Sequence, residues 1–158
     1  DFTSEKKFDV ILMLNLIEHV ANPLAVLEQA RNLLAPGGII LIKTPNIDSW
    51  DARLFRHSNW GGYHCPRHWT LFTMPSLSGL VQRAGLKVIE ASYTQGAPFW
   101  TTSVLFRMEK MGLVSITRER PVVYHPLFGL LSAFFAGFDF IRGMFAKTSQ
   151  MFFILGKF

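Results

Sequence analysis

Residues 8–46 predict an α/β fold built on a parallel strand–helix–strand unit, and three observations carry that prediction. Residues 8–14 (FDVILML) form a near-continuous apolar run, as expected of a parallel strand covered on both faces. Asn22 offers a side-chain cap and Pro23 suits the first helical position; Val26, Leu27, Ala30, Leu33 and Leu34 then recur at helical spacing and define one buried face. After Pro36, the pair Gly37-Gly38 gives the backbone freedom to stop the helix, and residues 39–43 are β-rich, so a second strand ends at Thr44-Pro45-Asn46. Parallel crossovers of this kind are right-handed.

Further along, residues 47–56 (IDSWDARLFR) suit a short helix capped by Asp48 or Ser49. Residues 57–68 are a loop dense in Gly, Pro, His and aromatics, the kind of surface segment that carries function more often than packing. Thr73 caps a helix with Pro75 in its first turn and Leu77, Leu80, Val81 and Ala84 on its apolar face; Gly85 stops it, and residues 86–93 alternate as the next strand. Residues 99–113 have helical spacing, and residues 126–146 are rich in Phe, Leu, Gly and Ala. The uninterrupted apolar part of that segment ends at Asp139, short of the ~20 residues a spanning helix needs, so it is expected to lie in a membrane interface or to close over an apolar substrate. Residues 150–157 (QMFFILGK) read as a final strand.

Composition narrows the class. At 158 residues, 49% hydrophobic and 17% charged, the chain has the size and apolar content of one folded domain rather than a disordered segment. Its single cysteine, Cys65, excludes an intrachain disulfide and fits a reducing cytoplasm, where the protein is expected. The opening residues are polar and lead into a strand, which does not read as a secretory signal. A formal charge of +5 is spread along the chain, which favours an anionic lipid surface or an anionic substrate over nucleic acid.

In open α/β sheets, ligands bind beyond the carboxyl ends of the strands, here Asn15-Leu16-Ile17-Glu18-His19 and Thr44-Pro45-Asn46. The ordered runs FDVI, LIEHV, NP and LLAPGGIILIKTPN, followed by residues 60–68 (WGGYHCPRH), Leu71-Phe72-Thr73 and Arg83-Ala84-Gly85-Leu86, resemble the second half of class I S-adenosylmethionine-dependent methyltransferases of the ubiquinone/menaquinone-biosynthesis-like type. The resemblance covers residues 8 to about 93. It implies the carboxyl-terminal portion of a Rossmann-like sheet, with strand order 4-5-7-6 in family terms, the last strand antiparallel, and a helical, aromatic-rich insertion. Residues 1–94 and 148–158 would form the partial core and residues 95–147 the insertion or lid. The strand, glycine-rich turn and ribose-binding acidic residue that precede this part in the family have no match, so the chain is expected to be the acceptor-side, truncated part of a longer enzyme. Its first strand, lacking its family neighbour, is expected to promote self-association.

The implied cofactor is S-adenosyl-L-methionine, with Asp1 and Phe2 as the remains of an adenine-binding pair and Asn15 and Leu16 lining the cofactor pocket. Methyl transfer from a sulfonium is an in-line displacement, so the protein must orient the acceptor and, for a hydroxyl or acidic carbon, take a proton. His19, His64 and His68 are the candidate bases, and Glu18, Asn46, Trp60, Tyr63 and Arg67 the candidate acceptor-binding residues. Against these stand blander readings: Glu18 pairs locally, His19 packs under the next helix, and the loop is structural, with Trp60, Tyr63 and Trp69 packed and Arg67 paired to Asp48 or Asp51. In some quinone-pathway relatives the acidic and histidine positions hold a divalent cation with a carboxylate three residues earlier; that position is Asn15 here, and no metal is assigned. The aromatic set Phe99, Trp100, Phe106, Phe134, Phe135 and Phe138 is expected to be core. The expected function is methyl transfer to a small-molecule acceptor, quinone-like, lipid-linked or sugar; the competing one is a non-catalytic module that binds a partner or a membrane.

Overall fold

The computed structural model of the chain describes residues 5–158, so Asp1 and Phe2 lie outside the described residues. Four strands form one sheet in the order β1-β2-β4-β3, where β1 is Phe8–Leu14, β2 Leu34–Pro45, β3 Leu86–Thr94 and β4 Gln150–Lys157. In family terms this is the expected order 4-5-7-6, and the fold is Rossmann-like. Strands β1 and β2 are parallel. Strand β4 runs against them: the N–H of Asn46, just after β2, donates to Ser149 C=O just before β4, and Lys157 at its far end reaches Leu34 C=O at the start of β2.

Two compact units make up the chain. The sheet unit contains the described residues up to Pro45 with Arg67–Ser92 and Met151–Phe158; the helical unit contains Asn46–Pro66 and Tyr93–Gln150. Residues 57–66 of the aromatic loop therefore group with residues 93–150, while Arg67 and His68 fall in the sheet unit; the sequence suggested that the whole loop belonged with residues 1–94. Within the helical unit the loop lies close to Phe99, since a Cβ at Gly61 would stand 2.7 Å from the carbonyl oxygen of Phe99.

In the sheet unit, helix α1 (Pro23–Leu33) starts where predicted, with the Asn22 side chain accepting from Ala25 N–H at 3.1 Å. Helix α3 (Met74–Arg83) starts with a capping box, Thr73 and Ser76 each bonding the other's backbone N–H. Leu27 and Ala30 of α1, Leu77 and Val81 of α3, Ile40 and Ile42 of β2 and Met151, Phe153 and Leu155 of β4 are buried. Each large side chain of this set contributes about 1.5–3 kcal/mol by leaving water.

Two expectations are corrected here. Strand β1 is not covered on both faces: it is the sheet's edge, Met13 is buried, and Phe8, Val10, Leu12 and Leu14 are exposed. Alternation decides this, since these four share the face opposite Met13. Nor does Gly37-Gly38 end the helix. Strand β2 begins at Leu34, directly after α1, and the glycines lie in a bulge where Phe8 faces Leu34 but Val10 already faces Ile39. Gly37 has φ of 75°, and a Cβ at Gly38 would meet Asp9 O at 2.9 Å.

In the helical unit, α2 (Trp50–Leu54) is capped by Ser49, while α4 (Ala97–Lys110) and α5 (Leu127–Arg142) pack on each other. Trp100 is buried and stacks on Phe135 with ring centroids 5.2 Å apart. Of the other aromatics expected in the core, Phe99, Phe106, Phe135 and Phe138 are half-buried, and Phe134, at 64% exposed, lies on the outer side of α5. No helix among the described residues is long and apolar enough to cross a membrane.

Candidate functional site

Parallel pairing delivers the carboxyl ends of β1 and β2 side by side. Leu14 pairs with Lys43, and the Asn15 N–H donates to Lys43 C=O at 2.7 Å. Asn15 then takes a left-handed φ of 51°, which asparagine tolerates better than most residues, and turns the chain into a 3₁₀ turn, Ile17–His19. Ile17 anchors that turn in the interior, while Asn15 and Leu16 stay exposed at the carboxyl end of β1.

Glu18 is wholly buried. Its Oε2 accepts from the Thr44 hydroxyl at 2.9 Å, whereas Oε1 has no hydrogen-bond partner. Burial pushes this carboxyl above the usual carboxylate range, opposed by its backbone hydrogen bond, the Thr44 hydroxyl and the charge of His19. The Glu18 carbonyl accepts from the N–H groups of Trp69 (2.8 Å) and Thr70 (3.2 Å), which ties the strap before α3 to the turn. Thr70 was not singled out from the sequence, while Thr44 was named only as part of a strand end and Trp69 only as a packed ring. Thr44 carried a signal, being the first uncharged polar residue at the end of an apolar strand.

The Nδ1 atom of His19 lies 3.0 Å from the carbonyl oxygen of Arg67. A carbonyl only accepts, so Nδ1 carries the hydrogen in that bond, and a neutral ring then has its acceptor lone pair on Nε2. His68 stands edge-on to His19, with centroids 4.6 Å apart and rings inclined at 72°. The structure thus brings Asn15, Leu16, Glu18, His19, Arg67 and His68 together around one strand end, a group able to move a proton.

The remaining assigned residues belong to the helical unit. Asn46 is buried, its amide donating to Thr148 C=O at 3.0 Å and its Oδ1 accepting from Asp48 N–H at 3.0 Å, so both ends of the side chain serve the fold. Trp60 is 2% exposed and donates from Nε1 to Asp51 at 2.7 Å. Tyr63 stands edge-on to Trp60 and donates its hydroxyl to Arg56 C=O. His64 is exposed and has a left-handed φ of 38°. The packing foreseen for Trp60 and Tyr63 is present; that foreseen for Trp69 is not, since its ring is 70% exposed. Asp48 pairs with Arg53 and Lys147, and Asp51 accepts from Trp60 and Ser149.

Residues 2–91 match the family model described as "Methyltransferase domain". The ubiquinone biosynthesis O-methyltransferase of Cereibacter sphaeroides is 34% identical over 90 residues, an alignment covering 54% of this chain and 36% of that protein. The protein of the same name from Parvibaculum lavamentivorans is 51% identical over 39 residues, 25% of this chain and 15% of its own. The chain thus spans about a third of the curated relatives matched over the longer stretch. Among solved structures, a SAM-dependent methyltransferase from Archaeoglobus fulgidus superposes with a TM-score of 0.53 at 13% identity, over 96% of this chain and 60% of that one. Phosphoethanolamine N-methyltransferase 2 of Haemonchus contortus, solved with S-adenosyl-L-methionine, does so at 0.51 and 18%, over 95% and 33%.

Proposed function

The chain belongs to the methyltransferase-domain family, and from that premise we propose that it is the acceptor-side part of an S-adenosyl-L-methionine-dependent methyltransferase that methylates a hydroxyl of a small, quinone-like, lipid-linked acceptor. The observation that carries this reading is the arrangement of His19 at the carboxyl end of β1, held by Arg67 C=O with its acceptor nitrogen at Nε2. The names of the relatives favour oxygen as the methylated atom. Exposed Asn15 and Leu16 offer a polar and an apolar contact side by side, which fits a cofactor with both amino-acid and nucleoside parts.

When bound, S-adenosyl-L-methionine would supply a methyl group on a sulfonium, with a neutral thioether as the leaving group. His19 takes the acceptor's hydroxyl proton on Nε2 as the oxygen–carbon bond forms, and Arg67 C=O steadies the imidazolium through Nδ1–H. Arg67 orients an anionic or phenolic acceptor, and buried Glu18 positions the turn through its carbonyl and its bond with Thr44. A lipid-linked acceptor is also in keeping with α5, whose residues Leu127, Leu130, Phe134 and Ile141 form one exposed apolar stripe suited to a membrane interface. The bare face of β1 supports self-association as a further part of the reading.

The test is transfer of labelled methyl to a polyprenylated dihydroxybenzene by the full-length product of the gene. His19→Gln should lower kcat by about 10²-fold or more with S-adenosylhomocysteine binding retained. Cofactor binding without transfer to this acceptor would reject the acceptor class. No binding of S-adenosylhomocysteine would reject methyl transfer and leave the interaction-module reading, which the exposed stripe of β1 favours.

A further inference from the structure

At the opposite end of the sheet unit from the polar strand ends, a recess of about 520 Å³ is lined by Lys7, Arg31, Asn32, Gly85, Lys157 and Phe158. Its position follows from the topology. Lys7 immediately precedes β1, Lys157 is the last residue of antiparallel β4, Gly85 precedes β3 and Arg31 lies in the last turn of α1. Three cationic side chains therefore converge from three separate elements, and among the described residues no acidic side chain lines the recess.

Each cation is held by a main-chain carbonyl, and Arg31 Nη2 also donates to the Asn32 side-chain Oδ1 at 3.4 Å. Lys7 Nζ donates to Asn32 O at 2.7 Å, Lys157 Nζ to Leu34 O at 2.6 Å and Arg31 Nη1 to Ala84 O at 2.9 Å. These oxygens lie at or just beyond the carboxyl ends of α1 and α3, so the bonds also favour the helix dipoles. A carbonyl dipole orients a cation without cancelling its charge, and among the described residues none of the three forms an ion pair. Gly85 contributes by lacking a side chain: a Cβ there would fall 2.3 Å from Arg31 Nη1, so the guanidinium lies across the glycine with its fork fixed. Two lysine point charges and one planar fork, with donor capacity remaining, are the donor set that recognises phosphoryl oxygens. The volume falls in the range of about 300–1,000 Å³ usual for small-molecule sites.

We propose that this recess binds a phosphate monoester or diphosphate group, at a site separate from the carboxyl-end crevice where methyl transfer is placed. The group belongs either to a soluble phosphorylated compound or to the headgroup of a phosphomonoester lipid, and the two sources are separable by experiment.

Inorganic pyrophosphate titrated calorimetrically into the chain at fixed ionic strength should bind saturably. The double variant K7Q/K157Q should weaken it by about tenfold or more, K7R/K157R should retain it, and R118Q/R120Q, which removes exposed charge elsewhere, should leave it unchanged. On the unaltered protein, amide resonances of Asn32 and Gly85 should shift on titration, a readout that needs no variant. Co-sedimentation with phosphatidylcholine vesicles containing phosphatidic acid, lost in K7Q/K157Q, would assign the lipid source; pyrophosphate binding without it would assign a soluble one. The proposal is overturned if neither probe binds, if K7Q/K157Q binds as well as the unaltered protein, or if R118Q/R120Q weakens binding equally.

Discussion

The two units bury their interiors by different means. In the sheet unit the buried set is aliphatic and aromatic, drawn from alternate positions of β2 and β4 and one face each of α1 and α3, with Glu18 and Thr44 the only buried residues with polar side chains among its described residues. The helical unit buries Asp51, Asp139, Arg142, Thr101, Ser103 and Ser149 among its aromatics. There Asp139 alone accepts from Gly96 N–H, Trp100 Nε1 and Arg142, while Arg142 also lies over the Trp100 and Phe138 rings. One interior rests on area removed from water, the other on a paired charge whose members each need the other.

That contrast is breakable from either side. Asp139→Ala should have the largest effect, since it strands a buried guanidinium and two N–H donors; a loss of about 3–5 kcal/mol in urea unfolding is expected, with Asp139→Asn milder. If Asp139→Ala costs less than a kilocalorie or so, the polar interior is ornament rather than support. In the sheet unit, Leu77→Ala should cost about 2–5 kcal/mol by cavity formation, without the partial rescue that a polar isostere gives Asp139.

The smallest effect concerns Glu18, the one buried carboxylate among the described residues whose partners are incomplete, and its sign is opposite. Because burial raises the Glu18 pKa, the folded state holds its proton more tightly than the unfolded state. Its contribution is most favourable below the ordinary carboxylate range and is lost as pH rises through the raised value. Glu18→Gln should therefore melt slightly higher than the unaltered protein at neutral pH, with the difference vanishing under acidic conditions. A higher melting temperature for the unaltered protein at neutral pH would show that Glu18 is stabilised as an anion.

The same contrast explains what the sequence made legible. Strand β4 and strand β1 have the bounds read from their apolar runs, and α1 and α3 start at the residues whose caps announce them, because period and cap chemistry are local. The start of β2 was misplaced because Ala35-Pro36-Gly37-Gly38 carries turn chemistry, and only pairing with β1 makes it a bulged strand. Asp139 and Arg142 read as the end of an apolar run; that they are buried partners depends on Trp100 and Gly96, some forty residues earlier. At the candidate site, the position of Glu18 and His19 followed from topology. The burial of Glu18 and the tautomer of His19 depend on Thr44 and Arg67, which no local pattern joins to them.

The tryptophans have an optical consequence. Of the four, Trp50, Trp60 and Trp100 belong to the helical unit, and Trp69 alone reports from the sheet unit. Trp69 is largely exposed, yet its backbone is tied to Glu18 at the candidate site, whereas Trp60 and Trp100 are shielded. With Trp50, also exposed, it should give the red-shifted, acrylamide-quenchable part of the emission, and replacing Trp50 by Phe should isolate it. The chain thus carries its own fluorophore beside the proposed acceptor turn, and a distinct, quencher-resistant pair that follows the helical unit.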